Sequence, residues 1–553
     1  MNGNVVRLTV MGESRIVDSN STLLELAKDY QHLFRFPIIA TKVNNQYQNI
    51  RDKVLENTSV EYFDLSDRGT NRIYCNGLIY LTIYAIVNLY GNDSMVNVMY
   101  SVDKGLYLTL NFNIEQEDII KIKNKMREVV LQDLPIEKVS VRRLEAIDYF
   151  KANKLDAKAG ILSYSTNTFI TLYKLGHMFD FFFSELPPST GYLNRFDLVY
   201  LNENGFVLLY PTNYLPDKIK PYVHHEKLFS IFSKYENRAK ILNVSDVTDL
   251  NNLVVRGRVD ELIRLEEAVF SSELINLAEA IYHNSNKAKV ILLAGPSCSG
   301  KTTTSIRLGN YLKNFGLCPQ MISMDDYFVN REDTPKLPNG DYDFECLEAV
   351  NLERLESDMG RLLQGEEIIL PKYNFIKGAS EDGMKMKLNG NDIIIIEGIH
   401  ALNPQVLPNI DKQNKFKLYV CPTTVLSIDN HNRIPTTDNR LLRRIVRDAR
   451  TRGYEPETTI KNWDNIRRGE EKNIFPFQDE ADYILNTSFL YEMGVLSLYA
   501  IPLLYTVKPD SIYYEEAKRL INLLKNFLPV SSEAVPKDSH IREFIGGSCY
   551  KVD

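Results

Sequence analysis

The sequence predicts a multidomain chain: an α+β amino-terminal half, then an α/β domain with a doubly wound parallel sheet built to hold a phosphate chain. Three observations predict it. First, 553 residues exceed what one hydrophobic core can organise, so about two to four domains are expected. Second, Val290-Ile-Leu-Leu-Ala294 is a short apolar run leading into Gly295-Pro296-Ser297-Cys298-Ser299-Gly300-Lys301-Thr302, after which Ile306, Leu308, Tyr311 and Leu312 recur at helical spacing. This is G-x-x-x-x-G-K-[ST] in its strand–loop–helix setting. Third, Ile393-Ile-Ile-Ile396 reads as a strand buried on both faces, with Glu397-Gly398 at its tip, as parallel α/β sheets require.

Composition narrows the class. Hydrophobic residues are 44% and charged residues 25%, as in ordinary globular proteins. The formal net charge of -7 argues against a protein that coats nucleic acid, while leaving a local basic patch open. Cys75, Cys298, Cys318, Cys346, Cys421 and Cys549 are scattered, without a C-x-x-C pair. Reduced thiols suit that spacing better than a disulfide frame or a zinc site. No run of about eighteen apolar residues suggests a membrane span. The opening residues lack a signal peptide's charged and apolar regions, so a cytoplasmic location and no membrane partner are expected.

Five segments are expected in order: 1–66, 67–230, 231–286, 287–510 and 511–553. The first reads as two strands around Met11-Gly12-Glu13, then a helix with Ser21 or Thr22 as N-cap and Glu25 completing a capping box. Strands are expected over residues 38–44 and 60–64. In the second segment, residues 73–89 read as a helix, 96–110 as a hairpin around Asp103-Lys104-Gly105, and 114–130 as an amphipathic helix; strands follow at 196–201 and 206–209. His177 and the run Phe179 to Phe183 read as structural or core residues rather than ligands. Residues 231–286 read as a helical connector, with an interruption near Ser271-Ser272.

The carboxy-terminal half carries the chemistry. Backbone N–H groups of the glycine-rich loop and the positive end of the following helix suit an anion. Lys301 would reach the β and γ phosphates, and the Thr302 hydroxyl would ligate Mg²⁺. Asp325 and Asp326 end a short strand, where side chains face the ligand crevice of a doubly wound sheet. A carboxylate there can deprotonate an attacking hydroxyl. Glu397 suits the acid near Mg²⁺. Arg440, Arg443, Arg444, Arg447 and Arg450 share one helical face, with Arg452 just beyond and only Asp448 among them. Such a face can be merely solvated, but guanidinium forks without acids suit phosphate oxygens, which points to a lid over the nucleotide.

Two resemblances extend this reading. The ββαβ…β order of the first segment resembles the TGS domain, a ubiquitin-like module. The second resembles the second additional domain of threonyl-tRNA synthetase. That domain's editing centre needs an H-x-x-x-H pair, whereas here Phe181 stands four residues after His177, so editing chemistry is read as lost. Residues 288–490 carry GPSCSGKTT, ISMDDYF, YDFE, LPKYNF, IIIIEGIHAL and RLLRRIVRDARTRG in order, which resembles the uridine kinase / phosphoribulokinase group of P-loop kinases.

That resemblance implies ATP and Mg²⁺, with ATP held by Gly295 to Thr303, Arg444 and Arg452. It implies Lys301, Asp325 and Arg447 as catalytic residues, Asp325 being the general base toward a nucleoside 5′-hydroxyl. Asp343 would hold the ribose hydroxyls, Tyr373 would lie near the base, and Thr302 and Glu397 would serve the metal. Departures concern base recognition: Gly378 stands where uridine kinases usually carry a His, Tyr454 replaces an Arg, and Asn462 a Gln. The stretch from Ser427 before the lid is extra. The three-part architecture resembles bacterial multidomain proteins commonly labelled uridine or nucleoside kinase. The expected partner is a small acceptor, a nucleoside first, with another hydroxylated acceptor or an RNA-linked ATPase switch as alternatives. RNA contact through the amino-terminal half and homo-oligomer formation stay open.

Overall fold

The structure, a computed structural model, describes residues 5–285, 288–337 and 340–551. It divides into two compact units. The first comprises residues 1–253, 425–435 and 504–528, and the second 254–424, 436–503 and 529–553.

The first unit opens with β1 (Val5–Val10), β2 (Glu13–Asp18), α1 (Leu23–Tyr30), β3 (Ala40–Val43), β4 (Gln46–Gln48) and β5 (Ser59–Phe63). They form one sheet in the order β2-β1-β5-β3-β4. Met11 and Gly12, at φ +50° and +86°, make the tight β1–β2 turn. Thr22, not Ser21, caps α1, and the Glu25 carboxylate returns to the Thr22 N–H at 2.9 Å, a complete capping box.

α2 (Arg68–Tyr90) is the core helix of the next layer, with Leu78, Tyr80, Leu81, Ala85 and Ile86 fully buried. It is long and apolar enough to cross a membrane by length and composition alone, but most of it lies inside this unit. Around it are β6 (Val96–Val102), β7 (Gly105–Leu110), α3 (Gln116–Gln132), β8 (Ile136–Arg142), α4 (Arg143–Ala152), α5 (Asp156–Ser163), β9 (Phe169–Leu175), β10 (Met178–Asp180), β11 (Asp197–Asn202) and β12 (Gly205–Leu209). Their sheets run β11-β12-β7-β6 and β10-β9-β8. The helices α6 (Glu226–Ile241) and α7 (Val247–Val255) follow.

Two distant segments complete this unit. Helix α14 (Tyr514–Leu524) sets Glu515 against the Tyr47 N–H and pairs Glu516 with Arg72 at 3.0 Å. Residues 425–435 supply Asp429 and His431 to a buried cluster: Lys158 Nζ lies 2.7 Å from Asp180 and 3.0 Å from Asp429, and His431 Nδ1 lies 2.6 Å from Asp180.

The second unit begins with α8 (Val259–Asn284), then β13 (Val290–Ala294), α9 (Lys301–Asn314), β14 (Cys318–Ser323), α10 (Leu352–Leu363), the hairpin β15 (Ile368–Asn374) and β16 (Ala379–Met386), β17 (Asp392–Glu397) and β18 (Lys415–Cys421). It continues with α11 (Thr436–Thr451), α12 (Pro456–Asn473), β19 (Tyr483–Asn486), α13 (Glu492–Leu504) and α15 (Arg542–Ile545). The sheet is parallel throughout, in the order β14-β17-β13-β18-β19. Strand order reverses beside β13, so the carboxyl ends of β13, β14 and β17 open onto the crevice where ligands of such sheets bind.

Packing departs from the linear division in three places. Helix α8, expected as part of a connector, belongs to the second unit with Phe270, Leu274, Leu277 and Ile281 buried. It runs unbroken through Ser271-Ser272, because the apolar register continues and Arg307 Nη2 donates to Ser271 Oγ at 2.9 Å. Residues 425–435 and 504–528 pack in the first unit, and residues 529–551 in the second.

Candidate functional site: a phosphate loop ringed by charge

The loop from Gly295 to Gly300 is shaped by two glycines and by what surrounds it. A Cβ at Gly295 would lie 2.2 Å from the Val420 carbonyl oxygen and 2.7 Å from Ser299 Oγ, so only glycine lets β13 pass β18 there. Gly300 turns into α9 at φ +82°, and Cys298 takes φ +59°, a left-handed conformation that costs a non-glycine residue about 1–2 kcal/mol. Side chains from elsewhere stabilise that path. Thr487 Oγ1 donates to the Ser299 carbonyl at 2.6 Å and Arg443 Nη1 to the Cys298 carbonyl at 3.2 Å. The Ser297 N–H donates to Glu470 Oε1 at 3.1 Å, and Arg440 Nη1 to the Ser297 carbonyl at 3.2 Å.

Lys301 and Thr302 open α9. Lys301 Nζ lies 3.3 Å from the Pro296 carbonyl, folded back over the loop, and Thr302 Oγ1 lies 3.3 Å from Glu397 Oε1. Glu397 ends β17, in register with Leu293 of β13 and Ser323 of β14. Burial pushes its carboxyl up to about 7, with Lys301 pulling it down and Asp325 and Glu543 pushing it up. A hydroxyl and a carboxylate this close, beside an anion cradle, fit a hard divalent cation that completes its shell with phosphate oxygens and water. Among the described residues no three His, Cys, Asp or Glu side chains gather as a self-sufficient metal site.

The two adjacent acids after β14 have separate surroundings. Asp326 is tied to the β15–β16 hairpin, 3.0 Å from Lys372 Nζ and accepting the Tyr373 N–H at 3.4 Å. Asp325 is left toward the loop. Desolvation raises its pKa, with Lys301 opposing and Asp326 adding to the rise, and Arg452 and Arg447 within electrostatic reach.

Helix α11 and Arg452 just beyond it do not present six equivalent arginines. Arg440 is buried and paired bidentately with Glu470, Nη2 to Oε2 at 2.6 Å. Arg443 is buried and forks onto Glu492, Nη2 to Oε2 at 2.8 Å. Both therefore brace the loop rather than form part of a free lid, and the expectation of arginines without acids fails for them. Their partners come from α12 and α13. Arg450 donates to the carbonyls of Glu543 and Phe544. Arg444, Arg447 and Arg452 instead gather around one buried carboxylate, Asp448, at 3.1, 2.9 and 3.5 Å, and Arg444 Nη1 also reaches Ser297 Oγ at 2.8 Å.

Asp343 and Tyr373 make no ion pair or hydrogen bond with this cluster among the described residues. Asp343 caps the Glu345 N–H at 3.1 Å. Tyr373 is buried between Phe328 and Phe375, ring centroids 5.6 and 5.0 Å away, and its buried hydroxyl has no hydrogen-bond partner among the described residues. A Cβ at Gly378 would meet the Arg331 guanidinium at 2.7 Å, so Arg331 fills that space.

Four residues near the loop were not anticipated. Burial, with Glu470 nearby, pushes Glu345 up to about 7; Arg444, Asp325 and Lys301 also act on it. Burial lowers His400 to about 4, against a backbone hydrogen bond at Cys346 and the nearby Glu348, leaving a neutral imidazole. Its place three residues after Glu397 was the available signal. Glu470 and Glu543 gave none, since Glu470 pairs with Arg440 30 residues away and Glu543 with Thr303 240 residues away. His177 sits exposed at the β9–β10 turn against Tyr84, ring centroids 5.6 Å apart.

Residues 290–489 match the phosphoribulokinase / uridine kinase family model. A uridine kinase from Halobacterium salinarum is 26% identical over 195 residues, 35% of this chain and 77% of that protein. Uridine kinase-like protein 4 of Arabidopsis thaliana is 28% identical over 197 residues; the match spans 35% of this chain and only 38% of that relative. The amino-terminal region is similar to threonine–tRNA ligases: that of Thermotoga maritima is 22% identical over 192 residues, 34% of this chain and 29% of the ligase. The phosphate loop, Asp325 and Glu397 all lie within this stretch, so the similarity to the phosphoribulokinase / uridine kinase family falls on the segment that carries the features of a kinase.

Proposed function

We propose that the second unit transfers the γ-phosphoryl group of Mg²⁺–ATP to a hydroxyl of a small acceptor, first of all the 5′-hydroxyl of a nucleoside such as uridine or cytidine. The observation that carries this is the convergence of Lys301, Thr302, Glu397 and Asp325 at the carboxyl ends of β13, β17 and β14. Gly295 to Thr303 and Lys301 bind the phosphate chain, and Arg444 and Arg452 support it. Thr302 and Glu397 hold Mg²⁺, which when bound supplies neutralisation of phosphate charge. Asp325 takes the proton of the attacking hydroxyl, and its raised pKa makes it a better base than an ordinary aspartate. Arg447 stabilises charge on the transferring group, so most of the catalysis is positioning and electrostatics. On the resemblance, Asp343 would serve the acceptor's ribose and Tyr373, packed with Phe328 and Phe375, its base.

In the same reading, residues 1–66 form a TGS-like module, 67–230 a synthetase-like domain and 287–510 the kinase. A second reading draws on the similarity to threonine–tRNA ligases: an ATPase switch governed by RNA. ADP release from Mg²⁺–ATP, measured with uridine, cytidine, other nucleosides and a sugar phosphate, each with and without tRNA, separates the two. A rate that requires uridine or cytidine supports the nucleoside kinase. A rate that requires only RNA supports the switch and removes the kinase assignment.

A further inference from the structure

The carboxy-terminal segment, outside the family match, reaches the phosphate loop. Residues 529–551 return to the second unit and are fixed there by many contacts. The Val530 N–H donates to the Gly494 carbonyl at 3.0 Å, and Arg542 Nη2 donates to the carbonyls of Ser532 and Val535 at 2.6 and 2.8 Å. His540 is fully buried, stacked on Phe489 with ring centroids 4.5 Å apart, and its Cβ lies 3.6 Å from where a Cβ on Gly300 would be. Arg450 of α11 holds the Glu543 carbonyl at 2.8 Å, and the Arg443 guanidinium lies 4.9 Å from the Phe544 ring centroid.

This scaffold delivers one carboxylate. Glu543, 7% exposed, accepts from the Thr303 hydroxyl at 2.7 Å and from the Thr303 N–H at 3.4 Å. Thr303 is the third residue of α9, and the first turn of a helix has no intrahelical acceptors for its N–H groups. Those N–H groups, at the positive end of α9, are the donors that a bound phosphate chain needs. A carboxylate on one of them is a phosphate-like anion supplied by the chain itself. It also lies within electrostatic reach of Glu397 and Arg447, inside the site's own charge cluster.

We propose that Glu543 is an internal competitor for the phosphate loop: it occupies an anion position at the start of α9 and must yield when a nucleotide's phosphates bind. The inference rests on the nucleotide reading of the loop given above. The segment 529–551 then sets nucleotide affinity, and anything that shifts it changes occupancy of the site. A carboxylate that only capped the helix would behave otherwise, since its loss would weaken the fold without strengthening binding.

The test is direct ATP binding by the full-length chain, by calorimetry in the presence of Mg²⁺, for the wild type, Glu543→Gln and Glu543→Ala. Removing one resident charge from a helix N-terminus is expected to tighten ATP binding by roughly tenfold in E543A, and by less in E543Q, whose amide oxygen still accepts from Thr303. Unchanged or weaker binding in both variants overturns the proposal. No binding by the wild type or either variant removes the nucleotide reading itself, a distinct outcome. Hydrogen exchange on the wild type gives an answer even if the variants fold poorly. Amides of residues 540–546 should exchange faster with a non-hydrolysable ATP analogue bound, and slower or unchanged exchange contradicts the competitor.

Discussion

Arg440 and Arg443 differ from Arg444, Arg447 and Arg452 in what faces them, although all lie within one stretch of thirteen residues. The first pair is buried, each against a different acid, Glu470 or Glu492, with Arg467 also on Glu470. The other three share a single acid, Asp448. These buried, hydrogen-bonded pairs brace the loop. Three arginines on one carboxylate leave an excess of positive charge beside the phosphate loop, and an anionic ligand can supply the balance. The same residue type in the same short stretch thus does structural work at two positions and presents charge at three others.

Breaking a brace should give the largest effect on stability. Arg443→Ala leaves Glu492 buried without its cation and should cost about 3–5 kcal/mol, read from urea unfolding. A loss below about 1 kcal/mol would mean the pair is not the brace described. Arg447→Ala should do the reverse, lowering turnover by roughly 10³-fold while changing stability by less than about 1 kcal/mol, because Asp448 keeps two other arginines. If both variants lose stability equally and neither loses turnover selectively, the two sets of arginines are not functionally distinct.

Asp448→Asn sharpens the comparison further. Its removal frees three arginines from their common anchor, so turnover should fall by roughly tenfold with ATP binding retained, since positioning rather than charge is lost. The smallest effect concerns pH. Glu345 is raised to about 7 in the folded protein, from 4.5. The native state therefore holds more protons than the unfolded chain between these values, and stability falls as pH rises from about 4.5 to about 7. Glu345→Gln should flatten part of that decline in chemical unfolding across the window, and an unchanged slope would remove Glu345 as a contributor.

The same contrast explains what could be read from the sequence. The strand, loop and helix over residues 290–314 were legible because every determinant is local: an apolar run, two obligatory glycines, then helical spacing. The capping box at Thr22 and Glu25, and the turn at Met11 and Gly12, were legible for the same reason. The arginine spacing gave the helix but not its pairing, since Glu470 and Glu492 lie 30 and 49 residues beyond Arg440 and Arg443. The extra stretch from Ser427 was visible as an insertion. Its packing was not, because Lys158 and Asp180, which bond Asp429 and His431, are some 250 residues earlier. The tail around Glu543 carried no motif, and its partner Thr303 lies 240 residues away. Helix α8 was misjudged for a different reason: its polar Ser271-Ser272 looked like a break, whereas Arg307 satisfies the Ser271 hydroxyl from the side.

The most direct test of phosphoryl transfer at this site pairs two readings on one variant. In Asp325→Asn, ATP binding and uridine-dependent ADP release are measured beside the wild type. Phosphoryl transfer with Asp325 as base predicts that binding persists while acceptor-dependent ADP release falls by about 10²–10⁴-fold. Equal ADP release in the variant and the wild type, or release that ignores the acceptor in both, would contradict it.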